Sequence, residues 1–388
     1  MLPTSRTATV ERADQALDQV DVIAGNVAIA HDYLTVVGGA ERVVLSLTRA
    51  FPGAPVYTSL YEPGQVAPEL AAGIDVRPSV LNRVGALRRN HRVAMPLLGP
   101  IFNHTRIDSD VVVCSTSGWA HGITTPGRKI AYCYNPPRWV HQRKDYTDSS
   151  RPLWWMAAAA MHPYLKHWDR KAAASCDRYI AISSIVAERV RVAYDRAAEV
   201  VPPPVTFDAA GPQQAIPYLR PGFLLSVSRL IGHKNVDAVV EAFATLPDLR
   251  LVVVGDGPES RALAANAPSN VEFTGRVSDD ELRWLFANSL GLISASREDF
   301  GLTPLEAAHF AKPSALLRYG GFLDTMIEDE TAVFFDAPEP SAVAGAVRRM
   351  VNESWDDEAI IANAERYSVP AFEQRLREIV AEELREAR

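Results

Sequence analysis

The stretch SREDFGLTPLEAAHF, residues 296–310, decides how this chain is read. It follows a short apolar run, SLGLIS (289–294), of strand length, and it leads into an apolar pattern of helical period. Strand, turn and helix in that order form the repeating unit of a parallel sheet. Thr303 is the predicted N-cap, with Pro304 in the first turn, where its missing N–H leaves no helical bond unmade. Glu298 and Glu306 flank the turn with seven residues between them. One interpretation is structural: Glu306 lies in the first helical turn and complements the helix dipole. The other is chemical. The backbone of Phe300, Gly301, Leu302 and Thr303 would cradle a phosphate, Glu306 would accept hydrogen bonds from vicinal ribose hydroxyls, and Glu298 would face a sugar.

The same alternation extends in both directions. Apolar runs at VAIAH (27–31), VVVCST (111–116), KIAYCY (129–134) and RYIAIS (178–183) read as strands separated by helical segments. Pro202, Pro203 and Pro204 end any helix or central strand and make a stiff connector. Beyond it the pattern restarts with FLLSVS (223–228), LRLVVVG (249–255) and VEFTG (271–275), then SLGLIS, SALLR (314–318) and AVFFD (332–336). Such strands imply parallel sheets covered on both faces. The expected fold class is α/β, with two Rossmann-like lobes. The expected domains are a loose extension over 1–25, an N-terminal domain over 26–204 and a C-terminal domain over 205–366. A last helix over 367–388 would pack back toward the N-terminal domain.

The 388 residues, 47% hydrophobic and 22% charged, suit two soluble domains. A formal net charge of -7 excludes a general basic field for nucleic acid. Locally, Arg83, Arg88, Arg89, Arg92 and Arg106, with His91 and His104, form an acid-free stretch. It fits a phosphate-bearing ligand, an anionic membrane surface or a solvated helix face. Cys114, Cys133 and Cys176 lack metal spacing and read as buried thiols of a cytoplasmic protein. No run of ~20 apolar residues encodes a membrane span, and Glu11, Asp14 and Asp18 interrupt any signal-peptide core. Trp154, Trp155 and Trp168 within 151–168 suit either an interfacial helix at the inner face of a membrane or a packed interdomain helix.

Three further motifs stand at predicted strand ends, where open parallel sheets bind ligands. Asp32 and Tyr33 precede Gly38-Gly39-Ala40-Glu41, a glycine pair that opens a helix. It lets a backbone approach a phosphate, or merely allows tight packing. Arg229 and Lys234 follow the 223–228 strand and suit a diphosphate, or simply decorate a loop. Asn135 and Arg138, in YNPPRW, would meet an acceptor or fill a rigid loop. Asp108-Ser109-Asp110 precedes its strand and is read as a turn, so no metal site is expected.

Taken together, these motifs resemble the retaining glycosyltransferases of family 4, which have the GT-B fold. The resemblance runs from about Val27 to the final helix. EDFGLTPLE (298–306) is similar to the family's E-x7-E motif. SRL with Lys234, GDGP (255–258) and TGRVSDDEL (274–282) support it, and HDYL with GGAERV is closest to the bacterial polysaccharide mannosyltransferase-like branch. The resemblance implies a donor/acceptor cleft, with Arg229 and Lys234 neutralising the diphosphate of a GDP-, UDP- or dTDP-sugar. Glu306 would hold the ribose, Glu298 the sugar, and the backbone near Val277 the base. Gly38 and Gly39 would lie near the phosphates, and the N-terminal lobe would bind a glycan, lipid-linked or small-molecule acceptor. It implies no metal and no cofactor beyond the nucleotide-sugar co-substrate. Two departures are visible: Asn135 where many relatives have His, and Asp324 after Gly320-Gly321 where many have Glu. A nucleotide-sugar epimerase or a non-catalytic sugar-nucleotide-binding protein of the same fold is the alternative.

Overall fold

A computed structural model describes residues 26–36, 38–71, 73–89, 91–142 and 152–387. The predicted extension over 1–25 lies outside the described residues, as do the side chains over 151–160 that bear on the interfacial helix. The chain divides into two compact units. One comprises residues 1–131, 163–178 and 373–388; the other comprises 132–162 and 179–372.

The α/β architecture expected from the sequence is observed. A seven-stranded sheet contains β1 (Val27–His31), β2 (Val56–Thr58), β3 (Val76–Pro78), β4 (Val111–Thr116), β5 (Arg128–Cys133), β6 (Arg178–Ala181) and β7 (Glu199–Val200). Its order is β3-β2-β1-β4-β5-β6-β7. A six-stranded sheet contains β8 (Phe223–Val227), β9 (Leu251–Val254), β10 (Val271–Gly275), β11 (Ser289–Ser294), β12 (Ser314–Leu317) and β13 (Ala332–Phe335), in the order β10-β9-β8-β11-β12-β13. Each sheet has the doubly wound order, which reverses direction beside its first strand. β1 pairs with β4 in parallel from Val27 opposite Val111 to His31 opposite Ser115. β8 pairs with β11 in parallel, with a register shift beside Gly291.

The six-stranded sheet shows why these strands read as continuous apolar runs. Leu224, Val253, Ile293, Ala315 and Phe335 project to one core, lined by the helix Pro340–Asn352. Their alternating neighbours Phe223, Leu225, Val252, Val254 and Leu292 project to another, beside Leu285 and Phe286 of the helix Asp279–Asn288. Both faces are buried, so no polar alternation is left to see. The helix Asp279–Asn288 opens on the expected capping box, Ser278 with Glu281. The C-terminal helix Val369–Glu386 is tied to the first unit by Arg128, which donates to Glu383 (2.8 Å) and Glu386 (3.0 Å). Among the described residues, no helix is long and apolar enough to cross a membrane.

Candidate active site

The six-stranded sheet reverses between β8 and β11, and the motifs that follow those two strands converge. From β8 the chain enters Ser228-Arg229-Leu230, whose Leu230 N–H donates to Asp256 O (3.1 Å) of the GDGP turn. It then forms the short helix Gly232–Lys234. From β11 it runs through Ala295 to Glu298. Asn235 Nδ2 donates to Ala295 O (2.8 Å) and Arg297 N to His233 O (3.2 Å), stitching the two segments together. The result is an ion pair between Lys234 and Glu298, with side-chain exposures of 14% and 30%. Partial desolvation, then the Lys234 charge, holds the His233 imidazole below its ordinary value; Glu298 opposes this, while Arg138 and Arg229 reinforce it. The shift favours the neutral imidazole, and both arginines lie within electrostatic reach of it.

The second half of the motif differs from the expectation in two respects. The helix spans Leu302–Ala308, and its N-cap is Gly301, not Thr303. Gly301 takes φ +90, and a Cβ there would lie 2.5 Å from the Phe322 ring, so the helix opens two residues earlier than a Thr303 cap would require. Glu306 accordingly sits beyond the first turn, which contains no acid. The dipole explanation for Glu306 is thereby removed. Phe300 is buried, its ring against Tyr367. Gly321 N–H donates to Glu298 O (3.1 Å), and a Cβ on Gly321 would lie 2.2 Å from the Phe300 backbone. The 320–321 glycine pair thus braces the motif from behind. Asp324, downstream of it, caps the helix Ser184–Tyr194 by accepting from Ser184 N (2.8 Å). Val277 packs on the core face beside Phe286.

Asp299, next to Glu298 in the motif, is the acid that sequence reasoning passed over. It accepts from Arg189 Nη1 (2.6 Å), Asn135 Nδ2 (2.7 Å) and Arg138 Nη2. Burial alone would raise its carboxyl, but the charges and hydrogen bonds of Arg138 and Arg189 outweigh it and hold the group below the usual carboxylate range. Asn135, 5% exposed, thus has its amide committed to Asp299. Arg189 was missed because its partner is 110 positions away and a lone arginine on a helix carries no local signal.

The remaining predicted residues belong to the first unit. Asp32 is 4% exposed. It is not an open acceptor-facing carboxylate. It accepts from Thr116 Oγ1 (3.0 Å), Ser117 N (2.7 Å), Ser117 Oγ (3.2 Å), Trp119 N (2.9 Å) and Ala120 N (2.7 Å). Register explains this, since Asp32 and Thr116 leave β1 and β4 side by side. Thr116 continues to His121 (3.3 Å) and His121 to Asp169 (3.0 Å), a buried polar chain without a sequence signature. Tyr33 is partly buried beside it. The helix Gly39–Ala50 opens with Gly38 as N-cap. Burial pushes the Glu41 carboxyl up, against the influence of His31 and the backbone N–H groups of Glu41 and Gly38 that it meets. A Cβ on Gly39 would meet nothing within 4 Å, so tight packing does not account for that glycine.

The chain matches two family models. Residues 212–367 match the one described as Glycosyl transferases group 1, and residues 37–209 the one described as Glycosyltransferase Family 4. Uncharacterized glycosyltransferase YqgM of Bacillus subtilis is 28% identical over 188 residues, 46% of this chain and 52% of that protein. O-antigen chain mannosyltransferase C of Escherichia coli is 30% identical over 143 residues, 35% of this chain and 38% of that protein. The chain thus spans about half or less of the length of these curated relatives. Among solved structures, Anabaena Alr3699/HepE in complex with UDP and glucose superposes with a TM-score of 0.64 at 14% identity, covering 92% of this chain and 99% of that one. WaaG, a glycosyltransferase involved in lipopolysaccharide biosynthesis, does so with 0.61 at 17% identity, covering 91% and 99%. These likenesses show the GT-B fold. With the two family models matched in tandem along one chain, the protein belongs to the family 4, group 1 glycosyltransferases.

Proposed function

We propose that the chain transfers a hexosyl group from a nucleoside-diphosphate sugar to a hydroxyl of a glycan, lipid-linked or small-molecule acceptor, retaining the anomeric configuration and using no metal. The observation that carries this is the convergence of Arg229, Lys234 and Glu298 where the six-stranded sheet reverses, the place where open α/β sheets take their ligands. Cations fixed there neutralise charge as it develops on a departing diphosphate. Glu306, beyond the first turn of its helix, would accept from the ribose hydroxyls. The relatives' names, including a mannosyltransferase, and the UDP and glucose in the Anabaena structure support a nucleotide-sugar donor.

In the proposed reaction the C1–O bond to the β-phosphate breaks and its electron pair goes to the phosphate oxygen. The acceptor oxygen bonds C1 from the same face, and its proton passes to that phosphate oxygen. No protein nucleophile is required. Glu298 is engaged with Lys234, which suits a carboxylate that orients the donor sugar. Contact of the basic 83–106 region with the inner face of a membrane is part of the same proposal, as a route to a lipid-linked acceptor.

Screening UDP-, GDP- and dTDP-sugars for thermal stabilisation tests the donor assignment. At a free concentration a hundredfold above Kd, a ligand stabilises by about 2.7 kcal/mol, which moves the melting point visibly. At least one donor should raise it, and Lys234→Gln should reduce that rise. Equal melting with every nucleotide sugar and with none would remove the proposal.

A further inference from the structure

The helix Ser184–Tyr194 supplies no residue to the proposed donor site, yet it meets the loops after β11 and β12 at three points. At its start, Ser184 N donates to Asp324 Oδ2 (2.8 Å). One residue on, Ile185 Cδ1 lies 3.8 Å from where a Cβ on Gly320 would stand, and that Cβ would be 2.1 Å from Glu298 O. On the next turn, Arg189 Nη1 donates to Asp299 Oδ1 (2.6 Å) and Arg189 Nη2 to Tyr319 OH (3.4 Å). All of these residues lie in the second unit. Asp299 follows β11 and Tyr319 follows β12, and these strands are parallel neighbours. One guanidinium therefore spans two adjacent strand-end loops. The same loops are tied again by Arg297, whose guanidinium stands over the Tyr319 ring at 5.8 Å, and by Gly321 N, which donates to Glu298 O (3.1 Å). Asn135 and Arg138 reach Asp299 Oδ2, whereas Arg189 takes Oδ1. The Arg189 and Asp299 side chains are 21% and 13% exposed, so solvent and salt screen this pair less than a surface pair.

Resting on the nucleotide-sugar reading above, we propose that Arg189 is a positioning residue of the transfer: by holding Asp299 against Tyr319 it sets the adjoining Glu298, the carboxylate that faces the donor sugar. Arg189 itself touches neither nucleotide nor sugar. A guanidinium suits the task because its donors lie in one plane at fixed separation, whereas a lysine ammonium is a single point of charge. Loss of Arg189 loosens the sugar contact and spares the diphosphate contact, which Arg229 and Lys234 make from the loop after β8.

The test is calorimetric titration of UDP, GDP and dTDP, and of UDP-glucose, GDP-mannose and dTDP-glucose, into the full chain, comparing wild type, Arg189→Met and Arg189→Lys. The readout is the affinity for a nucleotide sugar divided by the affinity for its own diphosphate, a ratio that a loss of folded protein does not move. Arg189→Met should lower this ratio roughly tenfold, the scale of a hydrogen bond to a charged group, with diphosphate affinity within about twofold of wild type. Arg189→Lys, which keeps the charge but not the spread of donors, should fall between Arg189→Met and wild type. A wild-type ratio in Arg189→Met, whether both affinities hold or both fall in parallel, overturns the positioning role. Should Arg189→Met fail to fold, Arg189→Lys decides alone: a ratio below wild type supports the role and a wild-type ratio overturns it. Wild type that binds none of the six ligands refutes the nucleotide-sugar reading itself, an outcome distinct from the others.

Discussion

Gly321→Ala probes how the motif is held without changing any residue proposed to meet the donor. Gly321 has φ −66, so alanine adopts its backbone freely. The obstacle is space. The new Cβ would stand 2.2 Å from Phe300 Cα and O, where ordinary contact begins at 3.4 Å, so the backbone between Glu298 and Gly301 must retreat by 1.2 Å (3.4 − 2.2). No flexible side-chain end absorbs the clash, because the opposing atoms are backbone. Overpacking of this kind costs about 1–3 kcal/mol. At about 2–4 °C per kcal/mol, melting should fall by a few degrees. The functional loss should be larger, because an ångström-scale misplacement of reacting groups costs about 100-fold in rate. The assay is donor-dependent nucleoside diphosphate release, with melting followed on the same samples. Gly345→Ala is the control: it lies within the helix Pro340–Asn352 with nothing within 4 Å. It should gain about 0.4–1 kcal/mol and keep full activity. Wild-type melting and turnover in Gly321→Ala would refute the bracing of the motif by the 320–321 pair.

Gly39→Ala should leave melting unchanged or slightly raised, since its Cβ meets nothing, yet lower activity if a phosphate needs that backbone; unchanged turnover would return the glycine pair to a local turn. Glu41→Gln should stabilise the chain at neutral pH. The folded carboxyl titrates above its unfolded value, so its contribution is full below the unfolded pKa and is lost as pH rises through the folded one. The melting advantage of glutamine should therefore shrink as pH falls through the carboxylate range, and an advantage independent of pH would contradict this. Asp32→Asn exchanges one of two accepting oxygens for a donor that would face either the Ser117 N–H or the Trp119 and Ala120 N–H groups, and should cost about 1–3 kcal/mol in thermal unfolding; unaltered melting would show that the loop holds itself.

Much of the fold was legible because buried parallel strands advertise themselves. VAIAH, VVVCST and SLGLIS coincide with β1, β4 and β11 residue for residue. β2, β3 and β7 were not anticipated, being two or three residues long and recognisable only by the strands they pair with. The pairing of Lys234 with Glu298 joins two motifs that the sequence put at strand ends, but only the sheet order makes those strands, β8 and β11, neighbours. Asp299 had no such pointer. Its meaning rests on Asn135, Arg138 and Arg189, brought from distant parts of the chain by topology. Asp32 erred the other way: a polar residue at a strand end reads as a ligand contact, and only the register with β4 reveals that its oxygens are used internally. The helix start at Gly301 was misplaced because Thr303 and Pro304 are the stronger local signals, whereas the Phe322 ring that makes Gly301 a glycine lies outside the stretch.

The measurement that bears most directly on the proposed chemistry is the anomeric configuration of the product, read by proton NMR. The chain would be incubated with the nucleotide sugar that stabilises it and a panel of hydroxyl acceptors. Same-face attack predicts stoichiometric nucleoside diphosphate release and a new glycosidic bond with the donor's own anomeric configuration. An inverted anomeric signal, or no transfer from any nucleotide sugar that binds, would contradict it.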